Sequence, residues 1–247
     1  LNCDAIFYKS HKKELDLLPT SFRVKDKPCL YVPAYTSKDW YAALNRKQKI
    51  SYTDKDIHLV NASFFSFDTA LYASMAPESK EIVEQGIHLH LYGNNEQIAD
   101  RMKKEIIGEN EKNKDYLHIH SAVPPEKLSY EIAKYDFGLY QTGFSKNVKS
   151  EVVKYISGNA VSSLLEAGLP MIVKDENWIN KELVENNKIG ISLANFKNLK
   201  NKLKRSNQNQ LSKNVINFRE KFSFEENIRG IIVFINSLSN NFFNKTF

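Results

Sequence analysis

The residues best suited to chemistry form a short run of small and polar side chains, Gly158-Asn159-Ala160-Val161-Ser162-Ser163, at the start of a predicted helix. The first turn of a helix presents backbone N–H groups without intrahelical partners, together with the positive end of the helix dipole. These features suit a diphosphate, and Ser162 and Ser163 add hydroxyl donors. The run therefore predicts a phosphate-binding helix start. The alternative interpretation is that Asn159 caps the helix and the serines are small packing residues.

A basic loop, residues 142–158, precedes this helix and is a second source of positive charge for a diphosphate. It contains Lys146, Lys149 and Lys154. Lys154 is closest to the helix in sequence and is the preferred candidate of the three. A solvated basic loop is the alternative interpretation of the same residues.

Four histidines alternate along two predicted strands, with His88 and His90 on one and His118 and His120 on the next. Residues two apart in a strand share a face, so four imidazoles could converge. No carboxylate or thiolate accompanies them at a fixed spacing. We therefore predict no metal site and expect polar, half-buried strand histidines. His120, the last residue of its strand, is the one expected to approach a ligand.

The elements that must position these residues follow from an alternation of short apolar runs with amphipathic segments. Predicted strands cover residues 57–62, 87–92, 116–120, 136–140, 170–173 and 190–193. Predicted helices begin near Asp68 with a restart at Pro77, span 98–107, 125–133, 159–167, 178–186 and 197–205, and end with two closing helices. Gly168 is expected to close the fourth of these in the left-handed region. This order predicts an α/β fold, a Rossmann-like doubly wound parallel sheet.

Such sheets bind ligands beyond the carboxyl ends of their strands, so the candidate site lies in the loops that follow them. These are residues 61–64, 92–94, 120–123, 140–143 and 157–163. The predicted ligand-binding residues at this edge are Ser63, Gly93, His120, Ser121, Val123, Tyr140, Lys154, Gly158, Asn159, Ala160, Val161, Ser162 and Ser163.

Composition excludes several classes of protein. The chain of 247 residues is 42% hydrophobic and 26% charged, which is typical of a globular protein. Its net charge of +6 suits a phosphate-bearing ligand or an anionic membrane surface, but the basic residues form no stripe interleaved with aromatics, so we expect no nucleic acid partner. Two cysteines do not make a disulfide framework, and no run of about 18 apolar residues occurs. We expect a cytoplasmic protein, with a peripheral position at the inner face of the membrane as the alternative.

The segment 158–173 resembles a signature of the donor-binding C-terminal domain of GT-B glycosyltransferases. It begins with Gly-Asn, continues as a helix that ends in Ala-Gly-Leu-Pro, and leads into a strand. Residues 177–191 resemble the continuation of that signature, and residues 89–93 and 135–139 resemble its second and fourth strands. The resemblance covers about residues 55–235. Among the GT-B enzymes, the sequence most resembles the bacterial galactofuranosyl- and glucosyltransferase-like sugar transferases of families 1 and 4.

This resemblance implies a nucleotide-sugar donor such as a UDP-sugar, bound as a substrate with no separate cofactor. The pyrophosphate would lie on residues 159–163 and the base near residues 121–123. The acceptor would be a saccharide or a lipid-linked saccharide of a surface polysaccharide or glycan pathway. The resemblance does not supply a catalytic base, because in this fold the acceptor site usually belongs to the N-terminal domain.

The chain departs from the family pattern at three positions. Many retaining relatives carry two glutamates where this sequence has Ser163 and Tyr155, and often a lysine where it has Ala160. A serine hydroxyl can hydrogen-bond a ribose but cannot make the charged, bidentate contact of a carboxylate. Two alternatives therefore stay open, a nucleotide-sugar epimerase of GT-B architecture and a non-catalytic binding subunit. Glu166, three residues beyond Ser163, is expected to point elsewhere.

Three parts are expected along the chain. Residues 1–50 would be the end of an N-terminal, acceptor-side domain with its linker. Residues 51–205 would form the nucleotide-sugar-binding domain, and residues 206–247 helices that pack on it. Because the run 4–8 already has the character of a strand, we expect an upstream part of the protein.

Overall fold

The computed structural model describes residues 5–9, 11–16, 27–43, 46–63, 74–93, 96–141 and 150–243. The predicted helix start at Asp68, the lysines Lys146 and Lys149, and the loop residues Phe64, Asn94 and Gly143 lie outside these ranges.

Strands and helices alternate along the described chain. The strands are β1 Ile6–Tyr8, β2 Cys29–Tyr31, β3 His58–Asn61, β4 His88–Leu91, β5 Leu117–Ile119, β6 Phe137–Tyr140, β7 Met171–Lys174 and β8 Gly190–Leu193. The α-helices are α1 Lys12–Asp16, α2 Ser51–Asp54, α3 Ala76–Val83, α4 Glu96–Ile107, α5 Pro125–Ile132, α6 Ser150–Tyr155, α7 Ala160–Glu166, α8 Trp178–Asn187, α9 Leu199–Arg205, α10 Gln208–Lys221 and α11 Phe224–Phe243. Short 3₁₀ helices cover Lys38–Trp40, Arg46–Gln48 and Glu111–Asp115.

Six strands form one sheet in the order β5-β4-β3-β6-β7-β8, and every neighbouring pair is parallel. This is the strand order of the Rossmann fold, in which the chain starts at the centre, winds to one edge and then returns to wind to the other. The predicted doubly wound parallel sheet is confirmed. The winding reverses between β3 and β6, so the carboxyl ends of these two strands define the switch point where such sheets bind ligands.

The two faces of the sheet are covered by separate apolar clusters, as expected when helices lie on both sides. Leu59, Leu89 and Leu139 belong to the cluster with α3, α4 and α9. Val60 and Val173 belong to the cluster with α5 and α7. Since successive strand residues point to opposite faces, each strand contributes to both clusters.

Two local features of the sheet domain differ in how well the sequence predicted them. Gly168 has φ +70° directly after α7, which confirms the predicted left-handed end of that helix. The region 142–158 was predicted as a loop, and this is wrong for its second half, because Ser150–Tyr155 is helical. Tyr155 stacks against His11 and meets Trp178 edge-on, so contacts with other elements stabilise this short helix.

The entry segment, residues 36–43, is attached to the sheet domain at several points. Thr36 forms a parallel bridge with Ser223, and the backbone N–H of Ala42 donates to the carbonyl of Glu166 over 3.0 Å. β1 and β2 form a separate two-stranded parallel sheet, and Phe7 of β1 packs edge-on against Phe234 of α11. The expected boundaries at residues 50 and 205 stay predictions.

Among the described residues, none of the helices combines the length and apolar character needed to cross a bilayer.

Candidate functional site

Two buried polar side chains stand at the switch point of the sheet. Asn61 ends β3 and is 1% exposed, and Gln141 directly follows β6 and is 3% exposed. The Asn61 amide nitrogen Nδ2 and the Gln141 amide oxygen Oε1 have no hydrogen-bond partner in the described protein. A buried polar atom without a partner costs about 1–3 kcal/mol, so such atoms call for an explanation. Here they offer one donor and one acceptor where this fold receives its ligand.

The other atoms of these two side chains are held in place. Asn61 Oδ1 accepts hydrogen bonds from Ser63 N at 3.0 Å and from Ser63 Oγ at 2.5 Å. Gln141 Nε2 donates to the carboxylate of Glu78 on α3. Each side chain is therefore fixed in orientation, with its remaining polar atom unused. The predicted site residue Ser63 acts here by orienting Asn61.

A lysine at the end of β7 completes this polar edge. Lys174 Nζ donates to Glu78 Oε1 at 2.6 Å and pairs with Glu176 Oε1 at 2.8 Å. Burial lowers the pKa of Lys174, but the hydrogen bonds to Glu176 and Glu78 outweigh it, so the pKa is raised. Lys174 is therefore charged and balanced by two carboxylates. Neither Lys174 nor Glu78 was predicted from the sequence as a site residue.

The start of α7 lies at the same edge, because helices of a parallel α/β fold run opposite to the strands. The Gly158 N–H donates to Tyr140 Oη over 2.8 Å, so this amide is already bound within the protein. Asn159 does not cap the helix with its side chain; its Oδ1 instead accepts from Lys9 Nζ at 2.6 Å. The Ser162 hydroxyl donates to the carbonyl of Ala34. The capping interpretation of Asn159 is therefore wrong.

A cavity of about 210 Å³ opens beside the α7 start. Its wall includes Gly158 just before α7, Val161 of α7, Asn180 and Leu183 of α8, and Ala34 of the chain that leads out of β2. The cavity therefore lies between the N-terminal part of the chain and the sheet domain, next to the helix start that the sequence analysis selected.

The remaining predicted residues are spread along the carboxyl edge. Gly93 has φ +89° and is exposed, and none of the described residues beyond its chain neighbours lies within 4 Å of the place that a Cβ would take. Ser121 is exposed, and Val123 packs partly against the α5–α7 side of the core. Ala160 and Ser163 are half-buried in the first turns of α7, and Lys154 is exposed on α6. Gly93 follows β4, Ser121 and Val123 follow β5, and Lys154, Ala160 and Ser163 follow β6.

The histidines form two hydrogen-bonded rows across β3, β4 and β5. His58 Nδ1 meets His90 Nε2 at 3.0 Å, and His90 Nδ1 meets His120 Nε2 at 3.0 Å. His88 Nδ1 meets His118 Nε2 at 2.9 Å in the second row. Burial lowers the pKa of His118 to about 4, and burial followed by neighbouring imidazoles lowers that of His90 further, so both rings are neutral near pH 7. The sequence analysis missed His58, which joins the group because β3 pairs with β4.

Glu166 points away from the site, as expected. It is 3% exposed, and its Oε1 accepts the backbone N–H of Ser37 over 2.9 Å. Arg219 of α10 donates to the carbonyls of Glu166 and Ala42 and lies over the ring of Tyr41. Burial raises the pKa of the Glu166 carboxyl to about 7. This carboxylate is therefore part of the attachment of the entry segment.

We expect Glu166→Gln to stabilise the protein at pH 8 and to have little effect at pH 5. Because the folded state holds the Glu166 proton up to about pH 7 whereas an ordinary glutamate releases it near 4.5, the folded form binds more protons between these values. The wild-type free energy of unfolding therefore falls as pH rises through this window, by about 1–3 kcal/mol. Glutamine keeps the acceptor for Ser37 without the charge.

Urea unfolding of both proteins at pH 5 and pH 8 measures this difference. The exposed Glu109→Gln provides the control, for which the difference from wild type should be the same at both pH values. A Glu166→Gln variant whose difference from wild type does not change with pH would contradict the assignment.

Comparison with known proteins gives a family and a fold. Residues 79–229, more than half of the chain, match the family described as glucosyltransferase 3-like, C-terminal domain. No curated protein is similar enough to count as a match. HepE of Anabaena in complex with UDP is similar over 95% of this chain and 64% of its own, with 10% identity and a TM-score of 0.67.

Two further structures share the fold. A glycosyltransferase of Rickettsia africae has 13% identity and a TM-score of 0.66, over 96% of this chain and 64% of its own. TarM has 14% identity and a TM-score of 0.55, over 94% of this chain and 43% of its own. The chain thus spans only 43–64% of the lengths of these three structures.

Proposed function

Since the chain belongs to the family of glucosyltransferase 3-like C-terminal domains, we propose that it is the donor-binding part of a glycosyltransferase that uses a nucleoside-diphosphate sugar. The observation that carries this proposal is the pair of buried, unsatisfied polar atoms at the switch point, Asn61 Nδ2 and Gln141 Oε1. A bound nucleotide would satisfy both, since phosphate oxygens accept hydrogen bonds and sugar hydroxyls donate them.

The α7 start is the second element of the proposed donor site. Its dipole favours negative charge, and Tyr140 Oη holds Gly158 at the first turn. The diphosphate would lie between this turn and the end of β3, with the sugar toward the cavity that Gly158 and Val161 line. The negative leaving group of glycosyl transfer is a nucleoside diphosphate, and fixed dipoles near it lower the barrier.

We propose UDP as the nucleotide of the sugar donor. HepE, which shares the fold, has been crystallised with UDP and with UDP-glucose. The acceptor we propose is a saccharide or a lipid-linked saccharide, with the protein in the cytoplasm and peripheral to the membrane where the acceptor is lipid-linked. The net charge of +6 supports both the anionic donor and an anionic surface.

We expect calorimetric titration of the chain to detect one nucleotide-sugar site. UDP-sugars are the first set to test, followed by GDP- and CDP-sugars. The matching free sugars, which lack the diphosphate, serve as controls and should give no heat. Because the acceptor side of this fold lies mostly in the other domain, we expect little sugar transfer by the chain alone. No binding of any nucleotide sugar to a chain shown to be folded by circular dichroism would refute the proposal.

A further inference from the structure

At the amino ends of β3 and β4, opposite the proposed donor site, two histidines and two aspartates come together. His58 Nε2 lies 2.9 Å from Asp54 Oδ2, and His88 Nε2 lies 3.8 Å from Asp56 Oδ2. One ligand atom each from Asp54, His58 and His88 falls within 4.8 Å of the other two. From this geometry we propose a binding site for a divalent transition-metal cation such as Zn²⁺, with these three residues and Asp56 as ligands.

The donor set fits such a cation. Imidazole nitrogen and carboxylate oxygen are ordinary ligands of Zn²⁺, which takes four of them in a tetrahedral arrangement at about 2.0–2.2 Å. Two carboxylates carry two negative charges, which match a dication. Lys55 lies between the two aspartates in sequence, but its Nζ donates to the Tyr52 carbonyl and lies over the Tyr52 ring. That lysine therefore does not occupy the site.

The surrounding hydrogen bonds leave the correct ring nitrogens available. His58 Nδ1 faces His90 Nε2, and His88 Nδ1 faces His118 Nε2. A histidine that binds a metal through Nε2 carries its proton on Nδ1 and donates it to a second residue. Both histidines have an imidazole nitrogen as that acceptor. His90 in turn can donate its own Nδ1–H to His120 Nε2. All the hydrogen bonds of this row are therefore made when each ring carries its proton on Nδ1.

The backbone also prepares the carboxylates. Lys55 has φ +70° at the end of α2, and this left-handed residue turns the chain between the two aspartates. The N–H of Asp56 donates to Asp54 Oδ1 over 3.0 Å, which leaves Asp54 Oδ2 directed at His58. The side chains of Asp54 and Asp56 are 38% and 43% exposed, so a cation can reach the group from solvent.

One movement is required for binding. The rings of His58 and His88 are stacked, with centroids 4.5 Å apart and planes 9° from parallel. A cation lies in the plane of each imidazole that binds it, so one ring must turn. His88 is the ring that can do so, because its side chain is 17% exposed whereas that of His58 is 4% exposed.

This proposal departs from the expectation drawn from the sequence, which stays untested. No metal site was expected there, because no carboxylate accompanies the strand histidines at a fixed spacing. The carboxylates come instead from the helix and turn before β3, and the parallel pairing of β3 with β4 places His58 opposite His88. Metal binding by these histidines and aspartates does not depend on a nucleotide sugar. The metal site and the nucleotide-sugar site can therefore be tested separately.

The test uses the whole chain, without a polyhistidine tag and after treatment with a chelator. We expect calorimetry with Zn²⁺ to give one site per chain, and Co²⁺ to give the visible absorption of a tetrahedral complex. Saturating Zn²⁺ should raise the Tm by about 5–10 °C at 100 times the Kd. Asp54→Asn and His88→Gln should each weaken binding at least about 100-fold.

Two matched variants serve as controls. His11→Gln changes the one histidine outside the rows, and Asp115→Asn changes an exposed aspartate of a 3₁₀ helix. Both should bind Zn²⁺ as the wild type does. Since His58 is buried, it is left unchanged so that every variant folds. The proposal is overturned if the wild type binds no Zn²⁺, if Asp54→Asn or His88→Gln keeps wild-type affinity, or if either control loses it.

Discussion

Gly190→Ala, which adds a single methyl group, is expected to lower the free energy of unfolding by about 3 kcal/mol or more. A Cβ at Gly190 would lie 2.0 Å from the carbonyl oxygen of Met171 and 2.7 Å from its nitrogen. Both atoms belong to the backbone of β7, which pairs with β8 at this position. Backbone atoms cannot turn aside as a flexible side chain can, so the two strands must separate or distort.

Urea unfolding followed by circular dichroism measures this loss. Gly230→Ala is the matched control, because Gly230 lies within the helix α11 and a Cβ there would have no neighbour within 4 Å in the described part of the chain. Alanine has the higher helix propensity, so the control should gain up to about 1 kcal/mol. If Gly190→Ala unfolds at the same urea concentration as the wild type, the close packing of β7 on β8 is incorrect.

Asn61→Leu is expected to weaken binding of the nucleotide sugar about 10- to 100-fold. The substitution removes the unpartnered Nδ2 donor at the switch point while keeping a side chain of similar size. A hydrogen bond to a charged group contributes about 1.5–3 kcal/mol, which corresponds to this loss. Ser63 also loses its acceptor on Asn61, so some loss of stability accompanies the loss of binding.

A second buried asparagine separates these two effects. Asn113 is 2% exposed in the 3₁₀ helix before β5, and its Nδ2 donates to the carbonyl of Ile107. Asn113→Leu should lose stability yet bind the nucleotide sugar as the wild type does. Titration of both variants with the best ligand of the wild type gives the comparison. If Asn61→Leu and the wild type bind the nucleotide sugar with equal affinity, the nucleotide sugar does not bind at Asn61.

The sheet could be predicted from sequence because each strand is a short apolar run between polar turns. The run 190–193 was predicted at its observed bounds, and Gly168 was recognised as the end of α7. The order of six strands and intervening helices was enough to predict a doubly wound sheet. These features depend on local patterns, which a single sequence contains.

The parts that sequence did not predict depend on contacts between distant residues. A helix cap was the alternative interpretation of Asn159, but the observed partner of its side chain, Lys9, is 150 residues away. The helix α6 was taken for a loop, and its Tyr155 packs on His11. No pattern in the sequence reports that Asn61 Nδ2 lacks a partner, because this depends on every side chain around it. The candidate site was therefore located by strand ends, while its polar atoms required coordinates.

The attachment of the entry segment restricts how β1 and β2 can move relative to the six-stranded sheet. β1 and β2 lead into the entry segment through residues 32–35, and this stretch ends where Thr36 pairs with Ser223, between α10 and α11. Arg219 anchors the chain beyond this stretch through the carbonyl of Ala42. Any movement of β1 and β2 relative to the six-stranded sheet must therefore pivot near Thr36, and it would separate Lys9 from Asn159.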